Sequence, residues 1–333
     1  MTVEWSGHSY RASQYRFYFL NTIRHTLVCY RVTRGRIALA CCHYCENSRM
    51  VDQKLPEDVQ KQVIELKQWL EQQSQVPKNI DDKLYLRFLH SCYYDMNKAK
   101  SAAELFFKIR SSIPELLTNR DPLSAPIQKT LKIINLAQYQ ISGNRNLWIW
   151  QLNDPGLEKY DYVLDAKLFF LSTDAWLLDN DFMEDEDVAI LDAKDISLKF
   201  LTKFNVSVAR KMAKYQEEAI PIRLKQIHII NAPSVIDKIF ALMKPFLKQD
   251  MTDMIHFHTP KSTTLYDYID KQELPEDFGG SRGKLEDYMD IATSSIMSKR
   301  EVFLDDYFWR CDKKEKNSKP ETAISSFRTL AID

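Results

Sequence analysis

The spacing of apolar positions divides the chain into helical and extended stretches. Val59, Val63, Leu66 and Leu70 recur at helical spacing with Gln, Lys and Glu between them, which predicts a helix that Pro77 ends. Asp81 and Asp82 open the run D-D-K-L-Y-L-R-F-L-H, where first-turn carboxylates meet the positive end of a second helix. Residues 98–110 read as a third helix, closed by Pro114. Residues 118–146 have linker composition around one short helix, and beyond them the pattern changes. Residues 147–152 form a strand that Asn153-Asp154-Pro155-Gly156 stops. Residues 162–178 are apolar almost all round, the mark of a buried helix. A strand over 188–191, a helix over 206–218 and a strand over 226–230 follow. Asn231-Ala232-Pro233 halts the last of these. The period then returns to 3.6, with Ile236, Ile239, Phe240, Met243 and Leu247 on one stripe and Ser234 as the expected N-cap. Residues 255–258 are a further strand, and Gly279-Gly280 is a tight turn. Strands alternating with helices predict an α/β fold with a largely parallel sheet.

Composition narrows the functional classes. The 46 basic and 46 acidic residues cancel, so nothing points to nucleic acid. No apolar run is long enough to span a bilayer. The six cysteines are too few and too uneven for a disulfide framework, which fits a reducing, cytoplasmic setting. Residues 1–49 differ from the rest: Arg11, Arg16, Arg24, Arg31, Arg34, Arg36 and Arg49 occur there with no Lys and no Asp. That stretch reads as an upstream extension before Met50 or as an Arg-rich targeting segment. Cys41, Cys42, His43 and Cys45 are metal-ligand types, but their crowding argues against a tetrahedral zinc site.

Four motifs carry a resemblance. I-H-I-I-N-A-P at 227–233, K-P-F-L at 244–247, I-H-F-H at 255–258 and L-P-E-D-F-G-G at 274–280 together resemble the CRAL-TRIO lipid-binding family. D-D-x-L-x-L-R-F-L, N-K-A and I-R-x-x-x-P resemble the helical subdomain that precedes it, and the pattern looks like that of the tocopherol- and retinaldehyde-binding members. The resemblance implies an α/β fold: an N-terminal three-helix bundle, then a mostly parallel sheet walled by helices around an apolar cavity. The helix at 234–247 would be its mobile gate. The implied layout is an atypical, disordered extension over 1–49, a helical subdomain over 50–130, the lipid-binding domain over 135–283, and a helix with a disordered tail over 284–333.

Family pocket positions fall on Ala166, Phe169, Thr173, Leu191, Met212, Tyr215, Ile222, Phe240 and Met243. Thr173 and Tyr215 would offer hydroxyls to a polar ligand end. The gate stripe is Ile236, Ile239, Phe240, Met243 and Leu247. Members that bury phosphatidylinositol use Glu, Thr and Lys where this chain has Ile222, Met251 and Met254, so that lipid is not expected in the cavity. Of two basic pairs that meet phosphoinositide membranes, Arg223 and Lys225 match the first; Asp250 and Met254 replace the second, with Lys244 and Lys248 nearby. The carboxylates Asp179, Asp181, Glu184, Asp185, Glu186 and Asp187 fail the calcium-loop pattern and read as a solvated loop. His256 and His258 share one strand face and read as packed histidines, not ligands. No catalytic motif, cofactor or metal is expected. The expectation is a monomeric, cytoplasmic carrier of a small lipophilic ligand such as a retinoid or tocopherol, with weak peripheral contact to anionic membranes. The alternative is a phosphoinositide-binding adaptor whose cavity is incidental.

Overall fold

The structure is a computed structural model that describes residues 17–18, 30–33, 36–39, 55–73, 76–77, 80–180 and 183–310. The chain divides into two compact units, Met1–Pro56 and Glu57–Asp333. In the first, β1 (Phe17–Tyr18), β2 (Tyr30–Thr33) and β3 (Arg36–Leu39) form a small antiparallel sheet. The remaining expectations for residues 1–49, and those for the tail after 310, lie outside the described residues.

The second unit begins with three helices, α1 (Glu57–Glu71), α2 (Asp82–Ser91) and α3 (Met96–Ser112). Leu66, Leu70, Phe88, Phe106 and Phe107 are fully buried between them, with edge-on ring contacts at 5.3 Å (Phe88–Phe106) and 5.1 Å (Phe106–Phe107). Acidic residues cap the starts of α2 and α3, the second two residues ahead of the expected 98. Asp81 accepts the Lys83 amide, and Asp95 accepts those of Asn97 and Lys98.

A five-stranded sheet follows in the order β4 (Ile134–Ile141), β5 (Arg145–Leu152), β6 (Glu186–Asp192), β7 (Leu224–Ile230) and β8 (Ile255–Phe257). The last four strands are parallel, and β4 pairs antiparallel with β5. β4 lies inside the stretch expected to be a linker. Its residues I-N-L-A-Q-Y-Q-I break clean alternation because both faces of the strand are covered, and the Gly143-Asn144 turn, with φ of 76° and 54°, makes a hairpin. Three longer helices connect the parallel strands or flank them: α4 (Tyr162–Asp179), α5 (Val206–Glu218) and α6 (Ile236–Met243). α7 (Leu285–Ser298) packs back on β4 and α4.

Ser234 does not cap α6. Val235 occupies that position, no side chain caps the helix, and a 3-10 turn over Lys244–Phe246 continues it. Asn231 adopts φ 51° at the end of β7 and donates to Asp192 Oδ1 at 2.9 Å, which turns the chain out of the sheet. Gly280 has no substitute: a Cβ there would lie 1.9 Å from the Leu274 carbonyl oxygen.

Candidate functional site

Strand pairing puts one set of side chains on one face of the sheet. Gln138, Trp148, Ala189 and Ile227 are neighbours across β4 to β7, as are Leu136, Trp150, Leu191 and Ile229. This face does not pack directly onto the helices. Between them lies a cavity of about 410 Å³, within the size range of pockets that hold small organic ligands. α4 contributes Ala166, Phe169, Ser172 and Thr173; α5 contributes Ala209, Met212 and Gln216; α6 contributes Ile236, Ile239 and Met243.

α4 can line a cavity because it has three buried faces. Phe170 and Leu177 turn to the helical bundle, while Leu168, Leu171 and Ala175 turn to the core shared with α7. The third stripe is left for the cavity. Of the expected pocket residues, Ala166, Phe169, Thr173, Leu191, Met212, Ile222 and Met243 line it. Tyr215 does not: it is fully buried against Phe170 and Phe106, and Arg110 Nη1 donates to its hydroxyl at 3.5 Å. Phe240 also falls outside the lining and packs edge-on against Phe257 at 5.2 Å. On the expected gate stripe, Leu247 lies beyond the 3-10 turn, so only Ile236, Ile239 and Met243 reach the cavity.

Residues 145–280 match the model of the CRAL/TRIO domain, and residues 55–127 match that of the Pinta-like UBA domain. The chain is 24% identical over 210 residues to human alpha-tocopherol transfer protein-like, covering 62% of this chain and 61% of that protein. It is 25% identical over 206 residues to human clavesin-2, covering 60% and 62%. Residues 145–280 are thus similar to a CRAL/TRIO domain, over less than half of the chain. Its match spans less than two thirds of the length of these relatives. Among solved structures, that of Sfh5 covers 75% of this chain and 99% of its own at 15% identity and a TM-score of 0.44, too distant a likeness to carry weight.

Several polar groups of the CRAL/TRIO domain were not anticipated by pocket spacing. Asp165, one residue before Ala166, also lines the cavity; Trp150 Nε1 donates to its Oδ1 at 3.0 Å and the Tyr160 hydroxyl to its Oδ2 at 2.7 Å. Burial pushes this carboxyl up to about 6, against those two hydrogen bonds, which favour the ionised form. Gln138 is another lining residue, and its buried Nε2 has no hydrogen-bond partner among the described residues. Thr173, expected to offer its hydroxyl, donates it to the Phe169 carbonyl at 2.9 Å.

The carboxylate run is not uniformly solvated. Asp179 and Asp185 are exposed, but Glu184 and Asp187 are 2% and 1% exposed. Glu184 faces Arg87 at 3.7 Å and accepts from Asn180. Asp187 accepts from Trp148 Nε1 at 2.8 Å, Asn146 Nδ2 at 3.1 Å and the Arg223 amide at 2.9 Å. The donors to Asp187 explain how a buried carboxylate can sit at the start of β6, where the pairing with β7 shifts register after Asp187. Asp181 lies outside the described residues.

The histidines sit on the sheet face away from the cavity. His228 Nδ1 lies 3.0 Å from His258 Nε2, His228 Nε2 lies 3.1 Å from Gln226 Oε1, and His258 Nδ1 lies 2.7 Å from Thr264 Oγ1. One tautomer assignment satisfies all three: Thr264 donates to His258, His258 to His228, and His228 to Gln226. Burial holds His228 down to about 3, so the chain of bonds is between neutral rings. No metal-holding cluster occurs among the described residues.

The basic residues differ in availability. The Arg223 side chain is only 9% exposed: Nε donates to the His90 carbonyl at 2.8 Å, and the guanidinium stacks 4.3 Å from the Tyr93 ring. It fastens α2 to the sheet instead of facing outward. Lys225 and Lys244 are exposed, and Lys248 pairs with Glu218 at 2.5 Å. Among the described residues no helix is long and apolar enough to cross a membrane.

Proposed function

We propose that this chain carries a small lipophilic molecule in the cavity and exchanges it at an anionic, phosphoinositide-containing membrane. The observation that supports this most is the cavity of about 410 Å³ between an apolar sheet face and three helices. Leu191 is 39% exposed although it is central to the sheet, because it borders that space. Burying an apolar ligand at about 25 cal/mol per Å² provides tight binding without covalent chemistry. A retinoid, a tocopherol or a similar isoprenoid has the matching character, and Ile222, Met251 and Met254 provide no partner for a buried inositol phosphate.

The proposed gate is α6. It is eight residues long and uncapped, and Leu242 is 44% exposed on its outer side. Phe257, 40% exposed, lies against it through Phe240, with Lys244 next in the chain. Apolar groups beside a free cation suit contact with an anionic bilayer, each cation contributing about 1 kcal/mol. The test is transfer of a fluorescent polyene between vesicle populations by the wild type and Leu191→Trp. The carrier reading expects the filled cavity to stop transfer and leave vesicle binding intact. Equal transfer by both proteins contradicts it.

A further inference from the structure

Asp165 is an acceptor facing an apolar cavity, and nothing in a purely hydrocarbon-binding pocket requires it. Its carboxyl is oriented by donors from two separate elements, Trp150 on β5 and Tyr160 in the segment before α4. The same aromatic groups continue the wall. The Trp150 ring is 6.2 Å from Phe169, and the Tyr160 ring is 5.5 Å from Phe200. A carboxylate accepts about four hydrogen bonds, and two are supplied. Among the described residues no Lys or Arg pairs with Asp165. Asp192, the other lining carboxylate, contrasts with it: Gln151 Nε2, Asn231 Nδ2 and the Lys194 amide all donate to it at 2.7–3.1 Å. Asp165 is half-buried and is one of the residues that line the cavity.

We infer that Asp165 is the end-group recognition site of the cavity, and that it selects lipophilic molecules terminating in a hydrogen-bond donor, such as an alcohol, over those ending in an acceptor alone. This inference rests on the carrier reading and deepens it. An acceptor-only end group placed against the carboxylate leaves both sides without a donor and repels. An alcohol satisfies an oxygen whose desolvation is already in place. Position also favours the assignment: Asp165 is on the first turn of α4, one residue before Ala166 and four before Phe169, so it shares their cavity stripe.

The test uses the full chain with two probes, a conjugated polyene alcohol and its matched methyl ether. Both are followed by quenching of tryptophan fluorescence, since Trp148 and Trp150 line the cavity. The expected result is an alcohol bound about tenfold more tightly than the ether, the worth of one hydrogen bond to a charged group. In Asp165→Asn the two affinities converge to within about twofold, because the carbonyl oxygen is taken by Trp150 or Tyr160 and the amide is a donor. Equal affinities in the wild type overturn the inference while leaving the carrier reading intact. Selectivity that survives in Asp165→Asn overturns the assignment to this residue. If neither probe binds the wild type, the carrier reading itself fails and the inference with it. The wild-type comparison holds even where the variant does not fold.

Discussion

Replacing Asp174 with alanine removes the carboxylate that two buried guanidiniums share. Arg110 donates to its two oxygens at 2.9 and 2.7 Å, and Arg120 Nη1 donates to Oδ2 at 2.6 Å. All three side chains are 0% exposed. Arg110 belongs to α3 and Asp174 to α4, so the cluster joins the helical bundle to the cavity wall. Removing one partner of a buried ion pair costs about 3–5 kcal/mol, and here two cations lose theirs, which sets the expected cost at about 5 kcal/mol. Arg120→Met is expected to behave differently. Burial pulls the Arg120 guanidinium below its ordinary value despite Asp174, whereas Asp174 and Tyr215 outweigh burial at Arg110 and hold it above. Nε and Nη2 of Arg120 also have no hydrogen-bond partner among the described residues. Exchanging this surplus cation for an apolar side chain should therefore cost about 1 kcal/mol or less. Urea unfolding of the full-length variants, followed by far-ultraviolet circular dichroism with matched slopes, measures both. Equal costs for the two variants, or a cost below about 1 kcal/mol for Asp174→Ala, would refute the reasoning by showing that water reaches the cluster.

Three further outcomes are expected. Burial pushes the Glu184 carboxyl from its ordinary 4.5 up to about 7, with Arg87 opposing. A raised folded pKa gives stability that is complete below the unfolded value and lost as pH rises through the folded one; unfolding free energy should therefore fall between about pH 4.5 and 7, and Glu184→Gln should flatten that slope. Gly280→Ala should destabilise by at least about 2 kcal/mol, since its Cβ meets backbone. Gly156→Ala is expected to be mild, because its nearest neighbour is the Glu158 side chain at 3.2 Å. Lys244→Glu should weaken sedimentation with anionic vesicles, and raising salt from 0.15 to 0.5 M should weaken the wild type in the same direction, as about one Debye-screened cation is at stake.

Much of the architecture was readable from the chain because apolar positions recur at helical spacing or, in α4, run almost all round the helix. The stripe Val63, Leu66, Leu70 packs into the three-helix bundle, and residues 206–218 and 162–178 become α5 and α4 almost as spaced. β4 was not readable, because a strand covered on both faces and carrying Gln138 and Gln140 shows no period of two. The pocket was legible where family positions and helix geometry agree, as at Ala166, Phe169 and Met212. It was misread at Tyr215, because α5 has two buried faces and the Tyr215 face turns to the bundle. Charge misled in a similar way. Composition alone could not separate Asp185, which is exposed, from Asp187, whose donors come from Asn146, Trp148 and Arg223, far away in sequence. Asp165 had a local signal, its place on the stripe of Ala166 and Phe169, but its donors arise only when β5 and the 154–160 segment come together.

The most direct measurement is native mass spectrometry with lipid extraction on protein isolated from its own cells. The account predicts one apolar molecule per chain, ending in a hydroxyl or amine, released on denaturation. Stoichiometric phosphatidylinositol in the cavity, or an empty protein that still sediments with phosphoinositide vesicles, would contradict it, the second result favouring an adaptor.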